Sequence, residues 1–184
     1  MQDASEREKY QKIWRLPEYR RRSPGLRHLH QALGWMQPRA CSSWTDWGCG
    51  TGAVADALAD LGHEVRCVDI ARNAYRGALP FWRACLWDLP EGMPATDYGY
   101  CADVMEHLPR EHVEPALAGI ASRTVEACYF QVALFKEHFG DQIGQTLHLS
   151  VFPADWWRRR ILRHFSRADF RMVRDKHLLA VARP

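Results

Sequence analysis

The chain of 184 residues predicts a mostly parallel α/β sheet with helices on both faces. From residue 43 onward, short apolar runs alternate with helical patterns at the spacing of repeated β-α units. One of these runs, Ala127 to Leu134, is apolar at every position except Gln131, as in a parallel strand that is covered on both faces. Near the end, the polar Arg174-Asp175-Lys176 joins two short apolar runs. This last pattern predicts an antiparallel terminal hairpin at the edge of the sheet.

The predicted elements follow one another without an internal repeat. Tyr10, Ile13 and Trp14 share one face of an N-terminal helix, and a second helix from Leu26 ends near Gly34. The predicted strands are 43–47, 64–70, 81–88, 98–104 and 127–134, followed by 170–173 and 177–181 as the hairpin. The predicted later helices are 53–61, 71–79, 109–125 and 154–165.

The length is that of one domain, which we expect to span 1–184. Within it, residues 1–40 are predicted to form a helical cover and residues 41–134 a ligand-binding core. Residues 135–184 would supply a long loop, a basic helix and the terminal hairpin. Loops as long as 135–153 are usually functional or disordered, and the aromatic content of this one favours a functional loop.

The charge is unevenly distributed along the chain. Residues 1–40 hold nine Lys/Arg against four Asp/Glu, residues 41–154 hold seven against fifteen, and residues 155–184 hold nine against three. Basic ends around an acidic centre are typical of a protein whose ends meet an anionic partner, but solvated Arg-rich helices give the same pattern. The triplet Arg20-Arg21-Arg22 leaves the same two alternatives, phosphate binding or solvation.

Six cysteines without a C-x-x-C pair exclude a zinc knuckle or a redox motif of that type. Four of them lie in predicted buried strands, so we expect reduced thiols and a cytoplasmic location. No run reaches the roughly 18 apolar residues of a membrane span, and the first residues lack the apolar core of a signal peptide. We therefore expect no membrane partner, and nothing in the sequence defines an oligomeric state.

The stretch from Ser43 to Leu58 reads as a strand, a glycine turn and a helix. Glycines let the backbone adopt positive φ and approach a ligand closely, and the following helix directs its N–H groups at the same point. The sequence therefore predicts an adenosine-ligand cradle. Gly48-x-Gly50-x-x-Ala53 also fits the dinucleotide fingerprint, and Asp69 after the second strand suits either kind of cofactor, so a nicotinamide remains open at this point.

The run from Asp46 to Gly52 resembles the D-x-G-x-G-x-G motif of class I S-adenosylmethionine-dependent methyltransferases. The resemblance implies a Rossmann-like fold and S-adenosylmethionine as cofactor, with Asp46 facing the methionine part, whose ammonium favours a carboxylate. It also implies that Asp88, in Leu86-Trp87-Asp88-Leu89-Pro90, takes the adenine amino group. The implied cofactor-binding residues are Asp46, Gly48, Cys49, Gly50, Gly52, Asp69, Ile70, Trp87, Asp88 and Asp103.

A second segment, Tyr100 to Pro109, is similar to the D-V-x-E-H-x segment of small-molecule methyltransferases of the ubiquinone-biosynthesis type. The resemblance covers about residues 41–134. The segment 147–157 is similar to short methyltransferases of phage and bacterial genomes, which brings no substrate with it. Taken singly, the acids have structural explanations: Asp46 as a helix cap, Asp88 as a turn residue and Asp103 as an ion-pair partner.

Methyl transfer to oxygen or nitrogen requires an aligned acceptor and, where a proton must leave, a base. Glu106 and His107 follow the fourth strand where the methyl group would point, and the loop adds His138 and His148. We take Glu106, His107 and His148 as the candidate catalytic residues, although Glu106 and His107 could also cap the next helix. A metal site from Glu106, His107 and a loop histidine is conceivable, but their spacing is not diagnostic, so no metal is predicted.

No Asn/Asp-Pro-Pro-aromatic segment follows the fourth strand, which departs from the DNA enzymes that methylate amino groups. The absence of a Pro-Cys pair there leaves a covalent cytosine mechanism unsupported. The sequence therefore predicts a methyltransferase acting on O or N of a small, anionic or aromatic acceptor. The alternatives are a nucleotide- or nucleic-acid-modifying methyltransferase and a regulatory protein that binds the cofactor without turnover, with a nicotinamide oxidoreductase the least supported.

Overall fold

The computed structural model describes residues 2–21 and 23–184. Arg22, one member of the predicted basic triplet, lies outside these ranges. None of the helices in the described ranges is both long and apolar enough to cross a membrane.

In the described part of the chain before the sheet lie the helices α1 (Gln2–Ile13), α2 (Pro17–Arg20) and α3 (Pro24–Met36). The predicted end of the second helix near Gly34 is wrong, because α3 continues to Met36 and stops where Gln37 adopts a left-handed φ of 51°. Gly34 is exposed and no atom crowds its Cβ position, so it is tolerated inside the helix at the usual small cost in helix propensity.

Within the described residues, seven strands form one sheet in the order β3-β2-β1-β4-β5-β7-β6. The first five strands pair in parallel, and β7 runs antiparallel to both β5 and β6. The predicted mostly parallel sheet with an antiparallel terminal hairpin is thereby confirmed. The strands are β1 (Ser43–Trp47), β2 (Glu64–Asp69), β3 (Phe81–Arg83), β4 (Thr96–Ala102), β5 (Thr124–Ala133), β6 (Arg167–Val173) and β7 (His177–Arg183).

The remaining helices, α4 (Ala53–Asp60), α5 (Arg110–Ala121) and α6 (Ala154–His164), complete two apolar layers. On one face, α5 and α6 bury Leu117 and Trp157 together with Phe130 of β5. On the other face, α3 and α4 bury Leu29 and Leu58. Strand β5 contributes to both layers, which explains why it is apolar along almost its whole length.

Two predicted elements between β2 and β4 differ from the structure. The predicted helix 71–79 is wrong: the segment consists of turns in which side chains bind backbone carbonyls, as Tyr75 Oη does at Leu79 O (3.0 Å). The predicted strand 81–88 stops at Arg83, and the chain turns where Asp88 N donates to Cys85 O (3.0 Å). Pro80 and Pro90, which cannot donate to a ladder, flank this segment and limit its pairing.

The predicted long loop 135–153 contains a short 3-10 turn, Phe139–Ile143, and is otherwise irregular. Its shape is fixed by the carboxylate of Glu137, which accepts hydrogen bonds from the backbone N–H groups of Phe139, Gly140 and Leu147. One side chain therefore ties the start of the loop to its distal part.

Candidate functional site

The candidate site lies at the carboxyl ends of β1 and β4, where the strand order reverses direction. β1 pairs with β2 on one side and with β4 on the other. In open α/β sheets this switch point leaves a crevice into which the loops of both strands turn. Two cavities lie in this crevice among the described residues.

The main cavity, of about 340 Å³, lies over the glycine turn and extends to the loop 135–153. The side cavity, of about 90 Å³, lies over the end of β2. The two share Trp14, Tyr19, Gly48, Asp103 and His107 as walls. Of the predicted cofactor residues, Asp46, Cys49 and Gly50 line the main cavity, and Asp69, Ile70 and Trp87 line the side cavity.

The glycine turn brings backbone to the cavity wall. Gly48 has φ +74°, and its N–H donates to Val68 O at 2.8 Å, which holds the turn against β2. A Cβ atom at Gly48 would lie 2.5 Å from Val104 Cγ2, so this position has room only for glycine. Gly50 and Gly52 also have positive φ, and Gly52 is the N-cap residue of α4 beneath Tyr75.

Asp46 is 4% exposed and carries one unsatisfied oxygen. Its carboxylate is hydrogen-bonded by the backbone of Ala55 at the start of α4, which agrees with the helix-cap explanation. Its Oδ2 atom, however, is buried and has no hydrogen-bond partner among the described residues. Burial, followed by the charge of Asp69, raises the pKa of Asp46 to about 7. A cationic group bound in the main cavity would satisfy this oxygen.

Asp69 closes the glycine turn from the end of β2. Its Oδ2 accepts from Gly50 N and its Oδ1 from Ala71 N, both at 2.8 Å. Burial raises the pKa of Asp69 to about 6, although these hydrogen bonds oppose the shift. Each carboxylate oxygen still has a second lone pair, so Asp69 can also accept hydroxyl groups of a ligand in the side cavity.

Asp103 and Glu106 bring two carboxyl groups together at the end of β4. Asp103 has a left-handed φ of 54°, and its Oδ2 accepts from Gln131 Nε2 at 2.7 Å. Glu106 is fully buried, and its Oε1 accepts from Ala133 N at 3.1 Å. The two carboxyl groups lie within hydrogen-bonding range of each other. Burial and the neighbouring Asp103 raise the pKa of Glu106 well above its ordinary value.

Two histidines complete this cluster. His107 and His148 meet edge to face with ring centroids 4.6 Å apart. Burial, then His148, lowers the pKa of His107 well below its ordinary value, and burial also lowers that of His148. Glu106, His107 and His148 each place one ligand atom within 4.8 Å of the others. The structure thus brings the three candidate catalytic residues together, although residues 108–147 separate His107 from His148 in the chain.

Other candidates lie elsewhere. Asp88 is exposed and lines neither of the two cavities. His138 has a side chain that is 85% exposed, and it faces Asp141 rather than the cluster. The sequence reasoning did not identify Gln131, which fixes Asp103, or Trp14, whose ring covers Gly50. The available signal for Gln131 was its place as the one polar residue in the apolar run 127–134.

No family model and no curated protein sequence matches the chain. Many solved structures do, at low identity. A protein from Pyrococcus horikoshii OT3 is 17% identical with a TM-score of 0.71, over 95% of this chain and 94% of its own. An N-methyltransferase, NodS, from Bradyrhizobium japonicum in complex with S-adenosylhomocysteine is 15% identical with a TM-score of 0.65, over 95% of this chain and 97% of its own.

A magnesium protoporphyrin IX methyltransferase from Synechocystis with bound S-adenosylhomocysteine is 20% identical with a TM-score of 0.59, over 87% of this chain and 84% of its own. One matched chain, from Anabaena variabilis, is longer, and this protein spans 65% of its length. At these identities the shared property is the fold. The protein has the Rossmann-like fold of class I S-adenosylmethionine-dependent methyltransferases.

Proposed function

We propose that this protein is a methyltransferase that uses S-adenosylmethionine to methylate an oxygen or nitrogen of a small acceptor. The observation that carries the proposal is Asp46, a buried carboxylate with an unsatisfied oxygen at the wall of the main cavity. The cofactor contains an ammonium that would pair with it. A nicotinamide dinucleotide has no such group.

The two cavities support the same assignment. The side cavity combines Asp69, which can accept ribose hydroxyls, with apolar walls such as Leu86 and Trp87 that suit a planar base. The main cavity combines Asp46 with the glycine backbone. The cofactor supplies a methyl group on a sulfonium. The chain's own residues hold it, orient the acceptor and exclude water.

The finer part of the proposal is a small, anionic or aromatic acceptor. It would lie beyond Asp46, toward Glu106, His107 and His148. Trp14, Tyr19 and Phe135 supply aromatic walls and Arg27 supplies a cation at this cavity. The matched structures include an N-methyltransferase and a magnesium protoporphyrin IX methyltransferase, so the fold itself does not select the acceptor.

The nucleic-acid alternative draws little support from the basic helix α6. Arg158 pairs with Asp155 at 2.8 Å, and Arg163 pairs with Glu114 at 2.8 Å. In the predicted triplet, Arg20 donates to the carbonyls of Trp14 and Asn73. Much of this charge is used within the protein, which favours the small acceptor.

Ligand-induced thermal shift tests the cofactor. S-adenosylmethionine and S-adenosylhomocysteine should raise Tm, and NAD should not; a shift with NAD alone would reject the assignment. Asp69→Ala should abolish the shift. The matched control is Asp97→Ala, which removes a carboxylate that accepts from Ser43 N at 2.8 Å beside the amino end of β1. It should lower the Tm of the free protein and keep the ligand shift.

Release of S-adenosylhomocysteine in a screen of small acceptors and nucleotides tests turnover. Product with a phenolic, carboxylic or amine acceptor supports the proposal. Retention on DNA or RNA that falls steeply between 50 mM and 200 mM salt, by about 10³-fold or more, would favour the nucleic-acid alternative instead. Cofactor binding without turnover of any acceptor would favour the regulatory alternative.

A further inference from the structure

Asp103 and Glu106 place two buried carboxyl groups next to each other in the wall of the main cavity. Asp103 Oδ1 and Glu106 Oε2 are both buried and find no hydrogen-bond donor in the part of the chain that the structure describes. His177 Nε2 lies 3.9 Å from Asp103 Oδ1, and Arg27 and His28 of α3 oppose the rise in the pKa of Asp103. Two neighbouring buried carboxylates need either a shared proton or a cation, because an uncompensated buried charge is very costly.

The histidines beside them offer lone pairs rather than protons. His148 Nδ1 lies 2.7 Å from Phe135 O, and a carbonyl only accepts, so Nδ1 carries the hydrogen and Nε2 keeps its lone pair. The ring of His107 is hydrogen-bonded to the carbonyl of Leu147, and its Nδ1 is buried without a partner. Each ring is therefore held by one nitrogen and leaves the other available.

Glu106 is oriented in the same way. Its Oε1 is fixed by Ala133 N, and its Oε2 is buried and has no hydrogen-bond partner among the described residues. In protein metal sites, a second group usually holds the far side of each ligand by a hydrogen bond. This bond fixes the orientation of the ligand and the tautomer of a histidine. Here two imidazoles and one carboxylate share this arrangement.

We propose that Glu106, His107 and His148 bind one divalent transition-metal cation. Their three ligand atoms lie within 4.8 Å of one another. Bonds of about 2.0–2.2 Å to a common ion require them to close by on the order of 1 Å, which side-chain adjustment can supply. Two imidazole nitrogens favour zinc, cobalt or iron over magnesium and calcium, which prefer oxygen ligands.

Three protein ligands would leave coordination positions open, as in catalytic zinc sites, and all three residues line the main cavity. The binding of the ion rests on the geometry alone, whereas its use rests on the proposed function. A hydroxyl group of the acceptor would occupy an open position and become more acidic. Methyl transfer would then form the C–O bond, break the C–S bond of the sulfonium and release the hydroxyl proton to solvent. The inferred acceptor class is therefore a hydroxyl compound.

Cobalt titration of the untagged protein, followed by visible absorption and calorimetry, tests the site. We expect about one equivalent of Co²⁺ to bind, to be displaced by Zn²⁺ and to be unaffected by excess Mg²⁺. His148→Ala and Glu106→Gln should each weaken binding by more than the roughly 10–100-fold that loss of an outer-shell partner costs. His138→Ala, in the same loop but with an 85% exposed side chain, is the matched control and should bind normally.

Absence of cobalt binding by the wild-type protein, or binding that survives both substitutions, would overturn the proposal and leave a proton shared by Asp103 and Glu106. If Glu106→Gln does not fold, as judged by circular dichroism, the half-exposed His148 decides the outcome. Thermal shift with S-adenosylmethionine, measured without metal, separates the two proposals. A cofactor shift without cobalt binding rejects only the metal, and cobalt binding without a cofactor shift rejects only the proposed function.

Discussion

The two ends of the main cavity are built in different ways. At one end, Asp46 and the glycine turn belong to seven consecutive residues, and the cavity wall is backbone. At the other end, Glu106 and His107 follow β4, Gln131 and Ala133 orient the acids from β5, and His148 enters from the loop 135–153. The first end is set by local sequence and the second by tertiary contacts. We therefore expect the proposed cofactor end to be rigid and the proposed acceptor end to depend on the loop 135–153.

The largest expected effect tests the rigidity of the glycine end. Gly48→Ala adds a Cβ that would lie 2.5 Å from Val104 Cγ2, at a φ of +74°. We expect it to lower the free energy of unfolding by about 2–5 kcal/mol, from left-handed strain plus overpacking, and to abolish the cofactor shift. Urea denaturation measures the first effect and thermal shift the second.

Gly62→Ala is the control for strain alone. Gly62 has φ +86°, and no atom lies within 4 Å of its Cβ position. This variant should lose only about 1–2 kcal/mol and keep the cofactor shift. Equal losses at the two positions would mean that the turn is not tightly packed, and the contrast between the two ends would disappear.

An intermediate effect tests the dependence on the loop. Glu137→Ala removes the carboxylate that accepts three backbone hydrogen bonds within 135–153. Since hydrogen bonds to a charged group contribute roughly 1.5–3 kcal/mol each, amide exchange in the loop should accelerate by at least about tenfold. Methyl transfer should fall, because His148 loses its position, while the cofactor shift stays.

Lys136→Ala, at the exposed neighbouring residue, should change neither loop exchange nor methyl transfer. Unchanged exchange protection in Glu137→Ala would show that other contacts hold the loop. A lost cofactor shift in the same variant would show that the two ends are coupled.

The smallest expected effect is the pH dependence of stability and ligand affinity that arises from the carboxyl group of Asp46. Its pKa is raised to about 7 by burial, then by Asp69, so the folded protein binds a proton there that the unfolded chain releases near its ordinary value. As pH rises from about 4 to 7, this group therefore lowers the free energy of unfolding. A cationic ligand needs the ionised form, so its affinity should rise about tenfold between pH 6 and pH 8. Calorimetric titration measures this change.

Asp46→Asn should remove most of this pH dependence and weaken binding at pH 8. S-adenosylhomocysteine, which lacks the sulfonium but keeps the ammonium, should follow the same profile as the cofactor. An affinity for the wild-type protein that does not vary with pH would mean that Asp46 does not contact the ammonium. The proposed cofactor end would then bind the methionine part of the ligand through backbone groups alone.

Much of this architecture is readable in the residues themselves. The apolar run 127–134 predicted a doubly covered strand, and β5 pairs with β4 and β7 between two helical layers. Helix ends were less predictable: Gly34 suggested a stop, whereas Gln37 provides it. Segment 71–79 lacked a cap, and its side chains compete for the backbone carbonyls that a helix would use.

The sequence by itself determined the α/β class and the glycine turn, because both depend on neighbours a few residues apart. The cofactor-binding roles that the sequence predicts for Asp46 and Asp69 remain predictions. Asp46 lines the main cavity and Asp69 lines the side cavity. The sequence already preferred His148 to His138, but only the tertiary structure brought the His148 ring against that of His107 and left His138 at the surface. The hydrogen bond from Leu147 N to the carboxylate of Glu137 holds the loop beside His148. Such a contact leaves no periodic or spacing signal in the chain.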